Sequence, residues 1–270
     1  MAIGPQGRIV KQLVLDMGLS DGPSLQNYCP GPNTQAVAHL QHWLASRQPG
    51  TANAIQMDAA PQSPPCLPLR LPSRLPPVPT YLWGDTGMGK THLLRALQIS
   101  LHTDGAATGW LDAQAQPADE FQEHWAAVLM DDVHALDAAQ QHVAFQWLIH
   151  AQTHGIPVVA AGALPPADLP LRDDLRSRLG WGDVFGLQPL GDAQRRTVLS
   201  QAAHMRGVHL SAEVLDFMLS RFSRDMGNLM ALLDRMDGYA LQTHRTVTVA
   251  LIKSMLDEPE PALMHETYFV

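Results

Sequence analysis

One stretch decides how the rest of the chain folds: Gly84-Asp85-Thr86-Gly87-Met88-Gly89-Lys90-Thr91, with the spacing G-x-x-x-x-G-K-T. A short apolar run, Tyr81–Trp83, precedes it, and a helical pattern with leucines at 94, 97 and 101 follows it. A phosphate-binding loop requires this order of strand, glycine-rich loop and helix. The glycines let successive backbone N–H groups turn around a phosphate, and the positive end of the next helix adds to the attraction. A glycine-rich turn that matches by chance is the alternative, and the flanking strand and helix argue against it.

The loop predicts a nucleotide site, in which Lys90 reaches the β and γ phosphates and the Thr91 hydroxyl binds Mg²⁺. A pair of carboxylates extends this site, because the apolar run Ala126–Met130 ends in Asp131 and Asp132. Parallel sheets bind ligands at the carboxyl ends of their strands. Asp131 is therefore predicted to bind Mg²⁺ directly or through water, and Asp132 to orient or deprotonate an attacking water. Without the loop, the pair could simply cap the next helix.

The fold class predicted is α/β, with a five-stranded parallel sheet between helices. Apolar runs at residues 81–83, 107–111, 126–130, 156–161 and 184–187 alternate with helical patterns, as parallel sheets require. One helix is expected from Thr34 to near Gly50, and another from about Asp137 to His154. From residue 190 onward four amphipathic helices predict a small lid, at residues 192–205, 211–222, 225–241 and 249–256, with Ser211 and Thr248 as N-caps.

The predicted domain organisation has four parts. Residues 1–27 form an N-terminal segment, and residues 28–188 form the α/β core. Eight prolines within residues 51–79 mark an extended insertion in that core. Residues 189–256 form the lid, and the acidic, proline-containing composition of residues 257–270 predicts a disordered tail.

Composition excludes several classes of protein. The chain has 270 residues, a net charge of −8 and only three lysines, which disfavours direct binding to DNA. The two cysteines, Cys29 and Cys66, form neither a disulfide framework nor a C-x-x-C pattern, so a reducing cytoplasm fits best. No apolar run reaches membrane-spanning length, and the N-terminus lacks a secretory apolar region.

Two segments leave alternatives open on residue patterns alone. Gln12–Met17 is either a short edge strand or an extended peptide whose Leu15 and Met17 fill a pocket on a partner. Arg176 and Arg178 precede a Gly-Trp-Gly turn. They are either solvated surface charges or side chains that reach the phosphates of another molecule.

These motifs together resemble the AAA+ family, and within it the family of the replication initiator DnaA and its shortened relative Hda, the DnaA regulatory inactivator. The resemblance covers roughly residues 11–256 apart from the insertion, through Leu82–Leu94, Met130–His134 and Ser177–Gly182. It implies an AAA+ P-loop NTPase core with a C-terminal helical lid. It also adds His92 to the predicted nucleotide-binding residues of the loop, which are then Gly84, Asp85, Thr86, Gly87, Met88, Gly89, Lys90, Thr91 and His92.

The resemblance implies further nucleotide contacts on either side of the loop. Tyr28–Asn33 is similar to the Hda segment that lies against adenine, which adds Tyr28, Pro30 and Asn33 to the site. Arg224-Asp225-Met226 is similar to the family's R-E-L, which makes Arg224 the lid's sensor arginine. Residues 160–163, where DnaA places a polar sensor, are Ala-Ala-Gly-Ala, so one γ-phosphate contact is expected to be missing.

The resemblance also implies contacts with partners. Ser177–Gly182 is similar to the box that carries the arginine finger, which places the finger on Arg178, acting in trans. Gln12–Met17 is similar to the Q-L-x-L-x-L peptide with which Hda docks on the sliding clamp, so Gln12, Leu13, Leu15 and Met17 are predicted to bind the clamp. Asp16 and Met17 depart from that peptide.

The implied function is regulatory inactivation of DnaA rather than initiation. Only the residues after 256 follow the lid, where DnaA has a helix-turn-helix domain, and a short clamp-like peptide precedes the core. With the β clamp of DNA polymerase III loaded on DNA, Arg178 would stimulate hydrolysis of DnaA-bound ATP and prevent re-initiation. The chain itself would hold ADP or ATP with Mg²⁺, most readily ADP, and hydrolyse weakly or not at all. DNA would be reached only through the clamp, and no membrane is involved. The sequence is compatible with a homo-oligomer.

Two alternatives belong to other functional classes. One is an autonomous P-loop ATPase of the helicase-loader type that uses its own Lys90, Asp131 and Asp132. The other is an adaptor that links the clamp to another protein, with its nucleotide serving only to stabilise the fold.

Overall fold

The computed structural model describes residues 22–46, 77–114, 120–222 and 225–257. Several predicted features lie outside these ranges: the clamp-like peptide at 11–17, residues 51–76 of the insertion, Cys66, Arg224 and residues 258–270. Among the described helices, none combines the length and apolar character needed to cross a membrane.

Five parallel strands form one sheet, and the predicted fold class is confirmed. The strands are β1 (Thr80–Trp83), β2 (Thr108–Leu111), β3 (Ala127–Met130), β4 (Val158–Gly162) and β5 (Asp183–Gly186). Their order across the sheet is β2-β3-β4-β1-β5, so β1 lies between β4 and the edge strand β5. Thr80 is in register with Val159 and with Asp183, so these three strands begin at the same end of the sheet. The end at which the strands begin is called the amino edge below, and the end at which they finish is called the carboxyl edge.

Helices cover both faces of the sheet: α1 (Thr34–Ala45) and α2 (Lys90–Thr103) on one face, α3 (Ala138–His154) and α4 (Asp173–Gly180) on the other. Because strand side chains alternate between faces, Leu129 packs towards α1 and α2, whereas Val128 and Met130 pack towards α3 and α4. This two-sided burial explains why the sequence of β3 is a continuous apolar run.

The helix ends follow local capping chemistry. Asp137 and Gln140 form a capping box that begins α3, and Gly155, with a φ of 67°, ends it. The expected end of α1 near Gly50 is wrong, because the helix ends at Ala45. There the Ser46 N–H donates to the carbonyls of His42 and Leu44 and closes the last turn before any glycine is reached.

Four helices follow the sheet and pack around a third core: α5 (Asp192–Met205), α6 (Ala212–Arg221), α7 (Met226–Thr243) and α8 (Val249–Asp257). The predicted N-caps are confirmed. The Ser211 hydroxyl accepts from the Val214 N–H at 3.3 Å, and the Thr248 hydroxyl accepts from the Leu251 N–H at 3.2 Å. Fully buried Leu199, Met218, Leu233 and Ile252 join the four helices.

The packing of α2 against the sheet can be tested by mutation. Leu97 is fully buried, whereas Ile99 on the same helix is 42% exposed. Leu97→Ala is expected to lower the free energy of unfolding by about 2–5 kcal/mol, because it leaves a cavity against the sheet. The measurement is urea denaturation followed by circular dichroism, with Ile99→Ala as the control that costs at most about 1 kcal/mol. Equal losses in the two variants would contradict the packing described.

Candidate nucleotide site

The phosphate loop lies between β1 and α2, at the carboxyl edge of the sheet. The Gly84 N–H donates to the Gly162 carbonyl at 3.3 Å, which ties the loop to the end of β4. Gly87 and Gly89 have φ values of 78° and 84°, in the left-handed region where side chains are strained. A Cβ at Gly89 would also come within 2.7 Å of the Tyr28 ring. These two positions therefore require glycine.

Lys90 is the first residue of α2 and is only 7% exposed. Its Nζ donates to the carbonyls of Gly84 at 2.7 Å and Asp85 at 2.9 Å, so the ammonium lies inside the loop. Burial lowers the pKa of Lys90 below its ordinary value. The carboxylates of Asp132, Asp131, Asp85 and Asp225 act in the opposite direction, through their negative charge. The ammonium is thus positioned by backbone carbonyls and surrounded by acids.

The predicted acidic pair lies beside the loop, and its two members have different surroundings. Asp131 is 4% exposed and directly follows β3. Burial raises its pKa, while hydrogen bonds from the Thr91 side chain and from the Asp132 N–H oppose that rise. Asp132 is exposed and has a φ of 44°, which turns the chain sharply away from the strand. The structure therefore brings Lys90, Thr91 and Asp131 together and leaves Asp132 open to solvent.

This arrangement fits a magnesium nucleotide. The hydroxyl of Thr91 and the carboxylate of Asp131 supply oxygen ligands of the kind that Mg²⁺ prefers, and phosphate oxygens and water normally complete its shell. Among the described residues no group of three or more histidine, cysteine, aspartate or glutamate side chains could hold a metal by itself. A metal held jointly with a nucleotide is therefore the arrangement that the residues accommodate.

The segment containing Tyr28 closes over the loop. The Tyr28 hydroxyl donates to the Met88 carbonyl at 3.1 Å, and its ring centroid lies 5.8 Å from that of His92. Burial raises the pKa of Tyr28, so the phenol stays protonated and can donate. His92 in turn contacts the Ser24 carbonyl through Nε2 at 3.1 Å, and burial lowers its pKa. Tyr28 and His92 form one wall beside the phosphate loop.

Asn33 anchors this segment to the chain that leads into the lid. Its Nδ2 donates to the Gln188 carbonyl at 3.0 Å, and its Oδ1 accepts from the Gln188 N–H at 2.7 Å. Gly31 lies so close to Leu190 and Gln194 that a Cβ there would come within 3.0 Å of both side chains. Pro30 is exposed, and its carbonyl accepts from the Asn33 N–H to close the turn. The phosphate loop and the start of the lid are thereby linked through one short segment.

Arg178 lies away from this site. It belongs to the last turn of α4, directly before the turn into β5, and therefore lies at the amino edge of the sheet. Its Nη1 donates to the Gln152 side-chain oxygen at 2.9 Å, and its guanidinium carbon lies 5.4 Å from the Phe145 ring centroid. The neighbouring Trp181 is 69% exposed. The structure does not bring Arg178 to the phosphate loop of its own chain.

Two contacts of the site were not expected from the sequence. Gln188 contributes only its backbone, so no side-chain pattern could have indicated it. Asp225 caps α7 and lies against Gly87 of the loop. A signal for Asp225 exists in the sequence, because it directly follows Arg224 in the lid motif, although the resemblance assigns a role only to the arginine.

The sheet and this site define an α/β P-loop fold with a C-terminal helical lid. Domain III of the Thermotoga maritima replication initiation protein DnaA has the same fold, with a TM-score of 0.66 and 19% identity over 86% of this chain and 95% of that one. AMPPCP-bound DnaA from Aquifex aeolicus has a TM-score of 0.58 and 19% identity over 80% of this chain and 65% of that one. Residues 192–256 match the family described as Hda, lid domain. The chain thus has the fold of DnaA domain III, and its last four helices match the Hda lid domain.

The Asn33 link between core and lid generates a prediction about stability. Asn33 is 4% exposed, and Asn33→Ala leaves both backbone groups of Gln188 without these partners. The free energy of unfolding is expected to fall by about 1–3 kcal/mol. Amide exchange at residues 28–33 should accelerate in parallel, because the anchor of that segment is lost. Asn228→Ala, at an exposed position of α7, is the control. Unchanged exchange at residues 28–33 would contradict the role of Asn33 as the anchor.

Proposed function

We propose that this chain is a nucleotide-bound regulator of the replication initiator DnaA. Together with the sliding clamp loaded on DNA, it stimulates hydrolysis of the ATP bound by DnaA, through Arg178. The product, ADP-bound DnaA, no longer initiates, so replication does not start again. The Hda lid domain and the DnaA-like core support a regulator of this type.

The position of Arg178 relative to its own phosphate loop is the observation that carries the proposal. Arg178 and Trp181 line a pocket with Pro79 and Val158, which stand at the beginnings of β1 and β4. The loop follows the opposite end of β1. At about 3.3 Å per residue, the strand alone separates the two edges by roughly 10–13 Å. Arg178 therefore acts on a nucleotide held by another molecule rather than on its own.

The surroundings of Arg178 keep its charge available to a partner. Within the described ranges no carboxylate pairs with Arg178, whereas the nearby Arg172 and Arg176 pair with Asp174 and Asp173. The partner of Arg178 is instead the neutral amide of Gln152, which orients the guanidinium without cancelling its charge. An incoming phosphate would compete only with that amide. Trp181, largely exposed beside it, supplies the kind of apolar surface that interfaces bury.

The step in which Arg178 takes part is electrostatic. During transfer of a phosphoryl group to water, negative charge develops around the γ-phosphate, and a positioned guanidinium stabilises it. Arginine fingers of this kind contribute about 10³–10⁵-fold to the rate in related reactions. Arg178 supplies this charge across an interface between two AAA+ cores, while the partner supplies the ATP and the water.

The chain's own site holds ADP or ATP with Mg²⁺ in this proposal and organises the core against the lid. When bound, such a nucleotide supplies phosphates that the loop N–H groups and Lys90 bind. Thr91 and Asp131 would supply the protein's oxygen ligands to Mg²⁺. Tyr28 and Asn33 join the loop to the lid through Gln188, and Arg224 is proposed to contact the nucleotide from the lid. The absence of a polar residue at 160–163 favours slow hydrolysis here.

Arg178→Ala is expected to lower stimulated ATP hydrolysis by DnaA by at least about 10³-fold, because the charge at the partner's γ-phosphate is lost. The measurement is conversion of radiolabelled ATP on DnaA to ADP in a mixture with clamp-loaded DNA. Arg176→Ala is the matched control, since Arg176 lies on the same helix turn and pairs with Asp173 at 2.6 Å. Full stimulation by Arg178→Ala would rule out the finger.

A second measurement separates this proposal from an autonomous ATPase. Lys90, Thr91 and Asp131 are brought together as an ATPase requires, which is the observation that favours this second function. ATP turnover by the isolated chain, without DnaA or clamp, distinguishes the two. Brisk turnover that requires Lys90 would favour the ATPase, and negligible turnover favours the regulator.

The clamp contact is proposed from the sequence alone, because Gln12, Leu13, Leu15 and Met17 lie outside the described residues. In an extended peptide alternate side chains face the partner, so Leu15 and Met17 enter the pocket together. DNA is reached only through the clamp, as the net charge of −8 favours.

The double variant Leu15→Ala/Met17→Ala is expected to weaken binding to the isolated clamp by about tenfold or more, because two apolar anchors are lost. Surface plasmon resonance with immobilised clamp measures the affinity. Val14→Ala/Asp16→Ala changes the intervening positions and serves as the control. Equal affinities for the two double variants would remove this peptide from the clamp interface and leave the adaptor function without support.

A further inference from the structure

A carboxylate of the lid lies against the phosphate loop. Asp225 caps α7, and its Oδ1 accepts from the Asn228 N–H at 3.0 Å, which fixes the side chain at the start of that helix. Its carboxylate is so close to Gly87 that a Cβ on this glycine would come within 2.1 Å of Oδ2 and 2.7 Å of Oδ1. A side chain of the lid thus meets the loop at a glycine whose φ of 78° belongs to the phosphate cradle.

The charge of Asp225 acts on the same ammonium that would meet the phosphates. Among the described residues four carboxylates act on Lys90, and Asp225 is the one contributed by the lid. In loops of this type the lysine reaches the β and γ phosphates. Asp225 therefore adds negative charge beside the phosphate-binding lysine, and a triphosphate brings more negative charge to that lysine than a diphosphate does.

We propose that Asp225 sets the nucleotide specificity of this site by opposing the γ-phosphate, so that the chain holds a nucleoside diphosphate in preference to the triphosphate. Two negative groups on either side of the Gly87 backbone repel each other, and the partly buried setting screens them less than water does. A diphosphate leaves the carboxylate in its position and lets the lid stay against the loop. This inference rests on the nucleotide binding proposed above and names the residue that selects the nucleotide.

The test uses variants of Asp225 that lose its negative charge but can still cap α7. Asn is as good an N-cap as Asp, so Asp225→Asn retains the hydrogen bond that begins α7. Isothermal titration with ADP and with the non-hydrolysable triphosphate AMPPCP, each with Mg²⁺, gives the two affinities. Asp225→Asn is expected to raise the AMPPCP affinity relative to the ADP affinity by about tenfold to a hundredfold. Asp225→Ser, a second neutral cap, should shift the ratio in the same direction.

Asp237→Asn is the matched control, because it removes one charge from the same helix about 18 Å further along its axis. Its affinity ratio should equal that of the unmodified protein. The proposal is overturned if Asp225→Asn leaves the ratio unchanged, or if both affinities rise equally, since Asp225 would then oppose any phosphate. If neither the unmodified protein nor Asp225→Asn binds either nucleotide, both the specificity and the nucleotide binding fail. Stimulation of DnaA by Arg178 is measured separately and does not depend on this outcome.

Discussion

The site depends on the hydrogen bonds and charges that hold the buried ammonium of Lys90 inside the loop. Two backbone carbonyls of the loop accept from it at 2.7 and 2.9 Å, and burial lowers its pKa. A charge held in this way needs compensation, and the carboxylates of Asp131 and Asp132 arrive from the end of β3. The order of the strands thus places two of the acids that compensate Lys90 beside the phosphate loop.

The parallel sheet also separates the phosphate loop from Arg178. Everything that follows a strand, including the phosphate loop and Asp131, collects at the carboxyl edge. Arg178 lies in the last turn of the helix that leads into β5, so the connection places it at the amino edge. A guanidinium at that edge is separated from the phosphate loop of its own chain by the length of β1. This separation is the basis for the proposal that Arg178 acts on a neighbouring molecule, and the neutral amide of Gln152 orients it.

Local pattern was sufficient for the strands and for most helix ends, because apolar runs and caps are local properties. It failed at the end of α1, where the Ser46 N–H closes the helix before Gly50 is reached. It could not find the Asn33–Gln188 contact, which joins residues 155 positions apart through a backbone that carries no side-chain signature. The positions of Lys90, Thr91 and Asp131 followed from motif spacing, whereas the roles of Arg178 and Arg224 came from resemblance and stay predictions.

Three contacts reach from the nucleotide site towards the lid, and each uses a different chemistry. Tyr28 and Asn33 connect the loop to Gln188 by hydrogen bonds, and Gly31 packs closely against Leu190 and Gln194 at the start of α5. Asp225 returns from α7 to Gly87 with a charge. The hydrogen bonds and the packing do not depend on the charge of the phosphates, whereas the electrostatic interaction of Asp225 does. In the proposal above, Asp225 is therefore the contact through which the lid distinguishes a diphosphate from a triphosphate.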